Sequence, residues 1–314
     1  MQQEYFYHSF PRSKRDETVE ENLERGVLTL QSIIKNGLLI TPEVMELPFD
    51  LDKNQKPLVQ SRLCFTLIPN DKLLEHMNKF GKFSIEWDTK ILKEMGVIPT
   101  MYMSVFDFHG QDNLKYATPK FLSRLLTYHE EERNINKKLQ SELSEVSEKM
   151  IAFKLSMKFG GEKRYEILEE LLKEHERLEK ALSDSSEKNG WYETLENLIY
   201  PVDSNKHNIG EGGYYNQREW RLIGNLTEGG KFVAEIPNEA QLQELLELNS
   251  HFFGQKIGYA GMQLSKGQLS QFFKNYEGRH ILEYANKVIV PERYVERVKS
   301  MLKDNGLSIK VAVL

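Results

Sequence analysis

The chain of 314 residues is long enough for two average domains, or for one α/β domain that carries a large insertion. Apolar residues make up 39% of it and charged residues 28%, which allows a buried core beneath a well-solvated surface. The formal net charge of −5 argues against wholesale wrapping of a polyanion, although a local basic groove is compatible with it.

Cysteine usage and hydropathy narrow the class further. Cys64 is the only cysteine, so the chain can form no intrachain disulfide and no multi-cysteine metal site. The N-terminal residues have no positively charged run followed by an apolar stretch, unlike a secretory signal. No window approaches the roughly 20 apolar residues that a transmembrane helix needs. We therefore expect a cytoplasmic protein that makes no use of a membrane, with a buried and unreactive thiol at Cys64.

Strands and helices alternate in the first third of the chain. The aromatic run 5–10 predicts a first strand. Apolar residues at helical spacing over 23–34, followed by Asn36-Gly37, predict a helix with a glycine cap. A polar loop is expected over 42–57. The further predicted elements are strands at 63–67, 83–87 and 100–106, and helices at 72–79 and 90–95.

The pattern changes after Pro119, because charges become dense and no proline follows until Pro201. Two apolar stripes at spacings of three and four residues predict a pair of helices joined at Gly160-Gly161. We interpret the stripes as a packed seam between the helices; a surface for a partner or for oligomerisation is the alternative. The stripes consist of Ile135, Leu139, Leu143, Val146, Met150, Phe153 and Met157, and of Tyr165, Leu168, Leu172, His175, Leu178 and Leu182.

An alternating pattern returns after a glycine-rich loop at 210–213. Because strand-rich segments flank the helical pair on both sides, we predict an α+β fold: one mixed-sheet domain over 1–118 and 190–314, with a helical hairpin inserted at 119–189. The predicted elements of the last third are strands at 214–223, 231–236, 256–260, 287–290 and 308–314, and helices at 242–248, 265–276 and 294–303.

Several enzyme classes lack their motifs in this chain. It has no phosphate-binding P-loop, no Gly-x-Gly-x-x-Gly after a strand, no His-Glu-x-x-His on a helix and no Gly-x-Ser-x-Gly elbow. No acidic cluster with metal-ligand spacing is visible either. We therefore predict no metal site, and a metal-dependent nuclease is the weakest of the functions considered.

The run Gln217-Arg218-Glu219-Trp220-Arg221-Leu222 is the main candidate for a site. Side chains alternate on a strand, so Gln217, Glu219 and Arg221 should share one face. A carboxylate in mid-strand is costly to bury without a partner. Glu219 is therefore a catalytic carboxylate, half of a structural ion pair with Arg218 or Arg221, or a residue of a half-exposed edge strand.

Two polar residues stand out in strands that are otherwise apolar. His8 lies among aromatic residues, where it is either a ligand-binding group or a core histidine that donates to a backbone carbonyl. Thr66 interrupts the apolar strand 63–67, where it is either part of a site or a hydrogen-bonding residue at the strand end.

The order of these features resembles the AbiGi family of bacterial abortive-infection (phage-resistance) proteins, over about residues 5–105 and 190–314. The helical insertion looks like an addition to that pattern. The residues that carry the resemblance are Phe6-Tyr7-His8-Ser9, Ile33-Ile34-Lys35-Asn36-Gly37-Leu38, Leu63-Cys64-Phe65-Thr66, the stretch 76–85, Pro99-Thr100-Met101-Tyr102-Met103 and the run 217–222.

The same order is similar, more distantly, to the ADP-ribosyltransferase fold of DarT-like toxins. Those proteins begin with a strand that bears a histidine, continue through a helix and a Phe-Thr strand, and carry the catalytic glutamate on a late strand. Gln217-Arg218-Glu219 has the Gln-x-Glu form of that glutamate motif. The resemblance thus implies NAD as a substrate, with the His8 and Glu219 strands as neighbours that share one cleft.

The resemblance also implies roles for individual residues. Glu219 would accept from the nicotinamide-ribose hydroxyl and stabilise the developing oxocarbenium charge, and Gln217 would orient the acceptor. His8 would bind a ribose hydroxyl, and Phe65 or Tyr102 would stack on the nicotinamide. The full set implied to contact NAD is His8, Ser9, Phe65, Thr66 and Tyr102.

Two functions follow from the resemblance. The first is an anti-phage ADP-ribosyltransferase that acts on nucleic acid or protein. The second is a non-enzymatic antitoxin or sensor of a two-gene defence system, which would contact an operon partner or a phage protein through the hairpin from Ile135 to Leu182. Release of nicotinamide from NAD separates the two.

Overall fold

The chain separates into two compact units in the computed structural model. Unit 1 comprises Met1–Phe106 and Asn197–Leu314, and unit 2 comprises Asp107–Glu196. The boundaries of unit 2 thus lie outside those expected for the insertion at 119–189. The structure describes residues 3–14, 16–45, 58–104, 117–156, 162–202, 218–224, 227–228, 231–232, 234–259 and 262–313.

Unit 1 contains the strands and most of the helices. Its strands are β1 (Glu4–Phe10), β2 (Leu38–Met45), β3 (Leu58–Pro69), β4 (Phe83–Trp87), β5 (Ile98–Pro99), β6 (Met101–Ser104), β7 (Ile199–Val202), β8 (Glu219–Ile223), β9 (Thr227–Glu228), β10 (Lys231–Phe232), β11 (Lys256–Tyr259), β12 (Met262–Ser265), β13 (Gln271–Phe273), β14 (Asn275–Tyr276), β15 (Arg279–His280), β16 (Ala285–Val290) and β17 (Lys310–Val313). The α-helices of the described chain are α1 (Val19–Asn36), α2 (Leu73–Phe80), α3 (Thr89–Glu94), α4 (Ala117–Ser156), α5 (Glu162–Leu198), α6 (Glu239–Phe253), α7 (Lys266–Leu269) and α8 (Val295–Asp304). Short 3-10 turns lie at Asn70–Lys72, Ile281–Tyr284 and Glu292–Tyr294.

The main sheet of unit 1 is mixed. Its strands follow the order β13-β2-β3-β1-β4-β16-β17, and β8 pairs with β3 and β5 beside this path. The β16–β17 pair is parallel, whereas β3 pairs antiparallel with β1, β2 and β8. The predicted α+β class with a mixed sheet is therefore confirmed.

One face of this sheet carries the main core. Phe6, Phe65 and Trp87 are each at most 1% exposed, and the rings of Phe65 and Trp87 meet edge to face at 5.4 Å. Helix α1 covers this face with Val27 and Leu30, both fully buried. The alternation of the aromatic first strand thus directs Phe6 and its row inwards, as the period of a strand requires.

The end of α1 carries the glycine cap expected from the sequence, and its start carries a capping box that was not predicted. Thr18 and Glu21 form a capping box at the start. Gly37 ends the helix at φ 92°, with its N–H donating to the carbonyl of Ile33. A Cβ at Gly37 would lie 2.3 Å from the backbone of Lys274, so close approach and a positive φ both require glycine here.

Two predictions in unit 1 are wrong in detail. The helix predicted at 265–276 is only the four-residue α7, after which the chain forms β13 and β14. Phe272 and Phe273 pair with β2 and are buried there, so tertiary burial overrides the helical spacing. The loop predicted at 42–57 begins later, because β2 continues to Met45; residues 46–57 lie outside the described residues.

Unit 2 is built on two long helices, α4 and α5, whose contacts are those of an antiparallel pair. His129 Nδ1 lies 2.6 Å from Glu196 Oε1, and Asn136 Nδ2 donates to Ser186 Oγ at 2.9 Å. The residue numbers rise along α4 while those of the partners on α5 fall, so the two helices run antiparallel. The turn predicted at Gly160-Gly161 lies outside the described residues.

The seam between the two helices departs in part from its prediction. Met150 and Leu178 are buried as expected, but Ile135 is 48% exposed. The inter-helix contacts run instead through His129 and Asn136, which leaves Ile135 on the outer side. Tyr165 and Leu172 are likewise exposed. No helix in the described ranges is both long and apolar enough to cross a membrane.

Candidate functional site

A pocket of about 440 Å³ lies beside β3, where β1 and β2 separate. Both strands pair with the same side of β3: β2 along its first half, up to Arg62, and β1 along its last residues, from Thr66. The stretch of β3 between these pairings, which includes Leu63 and Cys64, lines the pocket. Helices α1, α2 and α6 supply the other lining residues. A volume of this size is in the range of small-molecule sites.

The split in the sheet lets residues from both faces reach one pocket. Thr66 pairs with Tyr7 on one side and with Glu219 on the other, so these three side chains share a face. His8 follows Tyr7 and therefore projects from the opposite face. His8 and Glu219 both line the pocket nevertheless. The two strands were predicted to be neighbours, and this prediction is wrong, because β3 lies between β1 and β8.

The backbone before Glu219 is strained. Arg218 has φ 45°, a left-handed conformation that non-glycine residues rarely adopt and that costs on the order of 1 kcal/mol or more. Two contacts hold it there: its carbonyl accepts from the N–H of Leu67 at 3.2 Å, and its guanidinium pairs with Glu4. The entry into β8, and with it the direction of Glu219, is therefore imposed by tertiary contacts.

The carboxylate of Glu219 is anchored through one oxygen. Its Oε1 accepts from Arg221 Nε at 2.8 Å and from the Cys64 thiol at 3.2 Å. Within the described part of the chain, Oε2 accepts no hydrogen bond. The side chain is 16% exposed, so Oε2 remains accessible from the pocket.

Electrostatics keep Glu219 ionised. Burial acts to raise the pKa of its carboxyl group, but Arg221, Arg62 and the Cys64 thiol outweigh burial and hold the pKa below its usual value. Burial, with the charge of Glu219 added, raises the pKa of the Cys64 thiol to about 12. The thiol is therefore protonated and unreactive at neutral pH, and it serves as a donor to the carboxylate.

Arg221 belongs to a buried polar cluster with Gln60 and Arg62. Arg221 and Gln60 are fully buried, and Arg62 is 6% exposed. The Oε1 of Gln60 accepts from both guanidinium groups, and Arg62 also pairs with Glu43. The structural ion pair of Glu219 with Arg221, one of the alternatives open from the sequence, is thus present. It coexists with the placement of Glu219 on the pocket.

Tyrosines from the two strands beside the insertion complete this cluster. β6 and β7 form a parallel pair in which Tyr102 lies opposite Tyr200. The Tyr200 ring centre lies 5.5 Å from the guanidinium of Arg62 and 5.5 Å from that of Arg221. Burial and the nearby Glu219 raise the pKa of Tyr102. Tyr102 therefore borders the buried side of Glu219, whereas a contact with NAD was predicted for it.

His8 has a defined tautomer. Its Nδ1 lies 3.0 Å from the carbonyl oxygen of Cys64, which can only accept, so Nδ1 carries the proton. Burial lowers the pKa of His8, and Arg12 adds to that effect, so the ring is neutral. Among the described residues nothing donates to Nε2. His8 thus both satisfies a strand carbonyl, as the core alternative proposed, and offers an acceptor at the pocket.

The remaining predicted site residues divide into three groups. Ser9 and Thr66 line the pocket, and the Ser9 hydroxyl donates to Ser84 Oγ at 3.0 Å. Phe65 is 1% exposed within the core, so it has no ring face for a ligand, and a core position replaces its predicted stacking role. Gln217 lies outside the described residues.

A basic and aromatic group of side chains lines the pocket at the end of α2. The Arg12 guanidinium lies 4.7 Å from the Phe80 ring centre, and His76 contacts the same ring at 4.5 Å. Burial lowers the pKa of His76 to about 4, with His8, Arg12 and Lys79 adding to the effect, so His76 is neutral. Arg12 is therefore the cation of this group that is available to a ligand.

Gln60 and Arg62, which surround Arg221, are the site residues that sequence reasoning missed. Only the partner strand gave a signal, since polar side chains alternate with apolar ones at 219–222, the pattern of a strand with one polar face. Their meeting depends on the pairing of β3 with β8, which short-range patterns do not specify. No group of His, Cys, Asp or Glu side chains that could hold a metal ion occurs in the described ranges.

Comparisons with known proteins leave the site to be judged on its geometry. No family model matches the chain, and neither a curated protein nor a solved structure matches it.

Proposed function

We propose that the protein is an NAD-dependent ADP-ribosyltransferase, and that it serves in cytoplasmic abortive-infection defence against phage, with nucleic acid or protein as the acceptor. The observation that carries the proposal is the placement of Glu219: one oxygen is anchored and the other is open, on a pocket that also contains the acceptor nitrogen of His8. The defence role and the nature of the acceptor rest on the family resemblance described above.

The chemistry assigned to this site needs an ionised carboxylate and hydroxyl-binding groups. Departure of neutral nicotinamide breaks the bond to the ribose C1′ and leaves positive charge on the sugar. Glu219 Oε2 would stabilise that charge and accept from a ribose hydroxyl. The acceptor nucleophile then bonds to C1′ and loses its proton. Because Glu219 is already ionised and fixed by Arg221, it needs no reorganisation during the reaction.

Three further residues would bind the sugar and the phosphates. His8 Nε2 would accept from a second hydroxyl, since its tautomer leaves a lone pair there. The Thr66 hydroxyl stands beside Glu219 in the paired strand and would donate to the same ribose. Arg12 would supply positive charge for the phosphates of NAD.

The first prediction tests Glu219 directly. Glu219→Gln should lower the rate of nicotinamide release from NAD by about 100-fold, the scale for loss of one positioned electrostatic group. Since Arg221 is buried and pairs with Glu219, the variant should also melt earlier. Release is therefore measured by chromatography well below the melting temperature of either protein.

Glu43→Gln is the matched control. Glu43 also lines the pocket and also pairs with a buried arginine, Arg62, so its loss perturbs the same polar cluster. The proposal expects this variant to retain most of its nicotinamide release. The proposed enzyme would be contradicted by an equal loss of nicotinamide release in the two variants, or by a wild-type protein that releases no nicotinamide. Either result would favour the non-enzymatic defence component.

A further inference from the structure

Arg221 makes two strong contacts in two different directions. Its Nε donates to Glu219 Oε1 at 2.8 Å, and its Nη1 donates to the backbone carbonyl of Asn197 at 2.6 Å. The side chain is fully buried. Asn197 lies in the last turn of α5, which ends at Leu198. The residue that anchors the site carboxylate therefore also binds the end of a helix.

The chemistry of a helix end explains this contact. The last carbonyl groups of a helix have no partner within the helix, and they form the negative end of its dipole. A guanidinium satisfies such a carbonyl and its charge together. The neutral amide of Gln60, on the neighbouring strand β3, donates from Nε2 to the carbonyl of the next residue but one, Ile199 at the start of β7, at 2.8 Å. Two side chains of the sheet thus hold the chain where α5 passes into β7.

A guanidinium transmits position because it is flat and rigid. Its donors point in fixed directions, so the location of one partner constrains that of the other. The Tyr200 ring centre lies 5.5 Å from the guanidinium of Arg221, and Gln60 Oε1 accepts from Arg221 Nη1 at 3.4 Å; both contacts limit other orientations of Arg221. A shift of the carbonyl of Asn197 would therefore move or release Glu219 Oε1.

We propose that Arg221 is a positioning residue that links the Glu219 carboxylate to the C-terminal end of α5, so that this helix end sets the activity of the site. The inference rests on the proposed function for its effect on turnover. Helix α5 begins at Glu162 in unit 2 and ends in unit 1.

The second prediction replaces the rigid fork with a single ammonium group. Arg221→Lys keeps the charge but cannot direct separate donors to Glu219 and Asn197. We expect kcat for nicotinamide release to fall by about 100-fold, the scale of a misplaced catalytic group, with KM for NAD nearly unchanged. In the wild-type protein Arg221 lowers the pKa of Glu219, so this pKa should rise in the variant. The acid limb of the pH profile of kcat should therefore move to higher pH.

Arg297→Lys is the matched control for that variant. The guanidinium of Arg297 also pairs with a glutamate, Glu24, at 3.0 Å, but this pair is exposed on α8 and Arg297 does not line the pocket. This variant should keep the wild-type kcat and the wild-type acid limb. A general loss of folding would instead lower activity without moving the pH profile, and that result would overturn the positioning role.

A second readout does not depend on turnover. Cys64 donates to the same Glu219 oxygen and is the only cysteine, so alkylation by a small reagent reports on this cluster alone. Arg221→Lys keeps a positive charge near the thiol but releases Glu219, whose charge raises the pKa of Cys64. The alkylation rate should therefore rise by about tenfold, the change given by one pKa unit of the thiol. Arg297→Lys should leave the rate unchanged.

The helix end is tested separately with glycine substitutions in α5. Asn197→Gly loosens the turn that presents the carbonyl to Arg221, whereas Lys188→Gly loosens an exposed position of the same helix. Only Asn197→Gly should speed alkylation of Cys64. Equal rates in the two variants would overturn the link to α5. If the wild-type protein releases no nicotinamide, the proposed function fails, and the alkylation rates still decide whether Arg221 positions Glu219.

Discussion

The sheet of unit 1 and the helices of unit 2 differ in how much they bury. In unit 1, Phe6, Leu30 and Trp87 are fully buried within a large shared core. In the described part of unit 2, the buried apolar side chains are Leu125, Met150 and Leu178. Since apolar burial is the main favourable contribution to folding, the sheet should carry most of the stability of the chain.

Unit 2 adds exposed ion pairs to its few buried contacts, and these pairs contribute little to stability. Its outer faces carry ion pairs at helical spacing, such as Lys149–Glu145, Lys173–Glu169 and Arg177–Glu174. Pairs of this kind support helix formation only weakly and are screened by salt. The helices of unit 2 are therefore stabilised by helix propensity and by a small number of buried contacts, whereas the residues of the site lie on a sheet with a large core.

The largest effect that sharpens this comparison is expected from Phe65→Ala. The ring is 1% exposed and contacts Trp87 and Phe6 edge to face. Its removal leaves a cavity in a core that cannot close around it, so the free energy of unfolding should fall by about 3–5 kcal/mol. Urea denaturation followed by tryptophan fluorescence measures this. A loss below about 1 kcal/mol would mean that the sheet is less rigid than described.

A smaller effect is expected from Leu178→Ala in the seam of unit 2. Leu178 is 1% exposed, but most of its neighbours along the helices are partly exposed and can move in. We expect a loss of about 2 kcal/mol, the low end for such a change. Hydrogen exchange should rise in α4 and α5 and stay unchanged in the strands. Faster exchange throughout the sheet would show that the two units unfold together.

The smallest effect is expected from Arg177→Ala. Its guanidinium forms a two-point pair with Glu174 at 2.6 and 2.8 Å, yet both side chains are exposed. Exposed pairs of this kind often contribute nothing measurable, so neither the melting temperature nor hydrogen exchange in α5 should change. A clear drop in the melting temperature would indicate that this face of α5 is covered, contrary to the comparison.

The sequence predicts local features of the fold better than long-range ones. The cap at Gly37 and the alternation of the first strand follow from residues close together in the chain. Most of the helix predicted at 265–276 does not form, because Phe272 and Phe273 instead pair with β2 as part of β13 and are buried there. In unit 2, the outward position of Ile135 depends on which polar side chains meet between the helices, which apolar spacing does not reveal.

The site was predicted to a similar extent. Alternation placed Glu219 and Arg221 on one face, and the structure confirms their contact. The strand alone could not show whether Glu219 is a structural ion-pair residue or a pocket residue, because Glu219 is both. Gln60 entered no prediction, since two of its partners, Ile199 and Arg221, lie 139 and 161 residues away in the chain.

The pairing of β3 with β8 has a consequence for the order of events during synthesis. Cys64 and Glu219 meet although 155 residues separate them in the chain. Chains emerge at about 5–20 residues per second, so β3 waits on the order of ten seconds for its partner strand. The helices of unit 2 are complete before then, since α5 ends at Leu198, and Arg221 appears only afterwards. A nascent chain therefore carries a finished insertion before it carries an assembled pocket, and products truncated before Glu219 would lack the anchored carboxylate altogether.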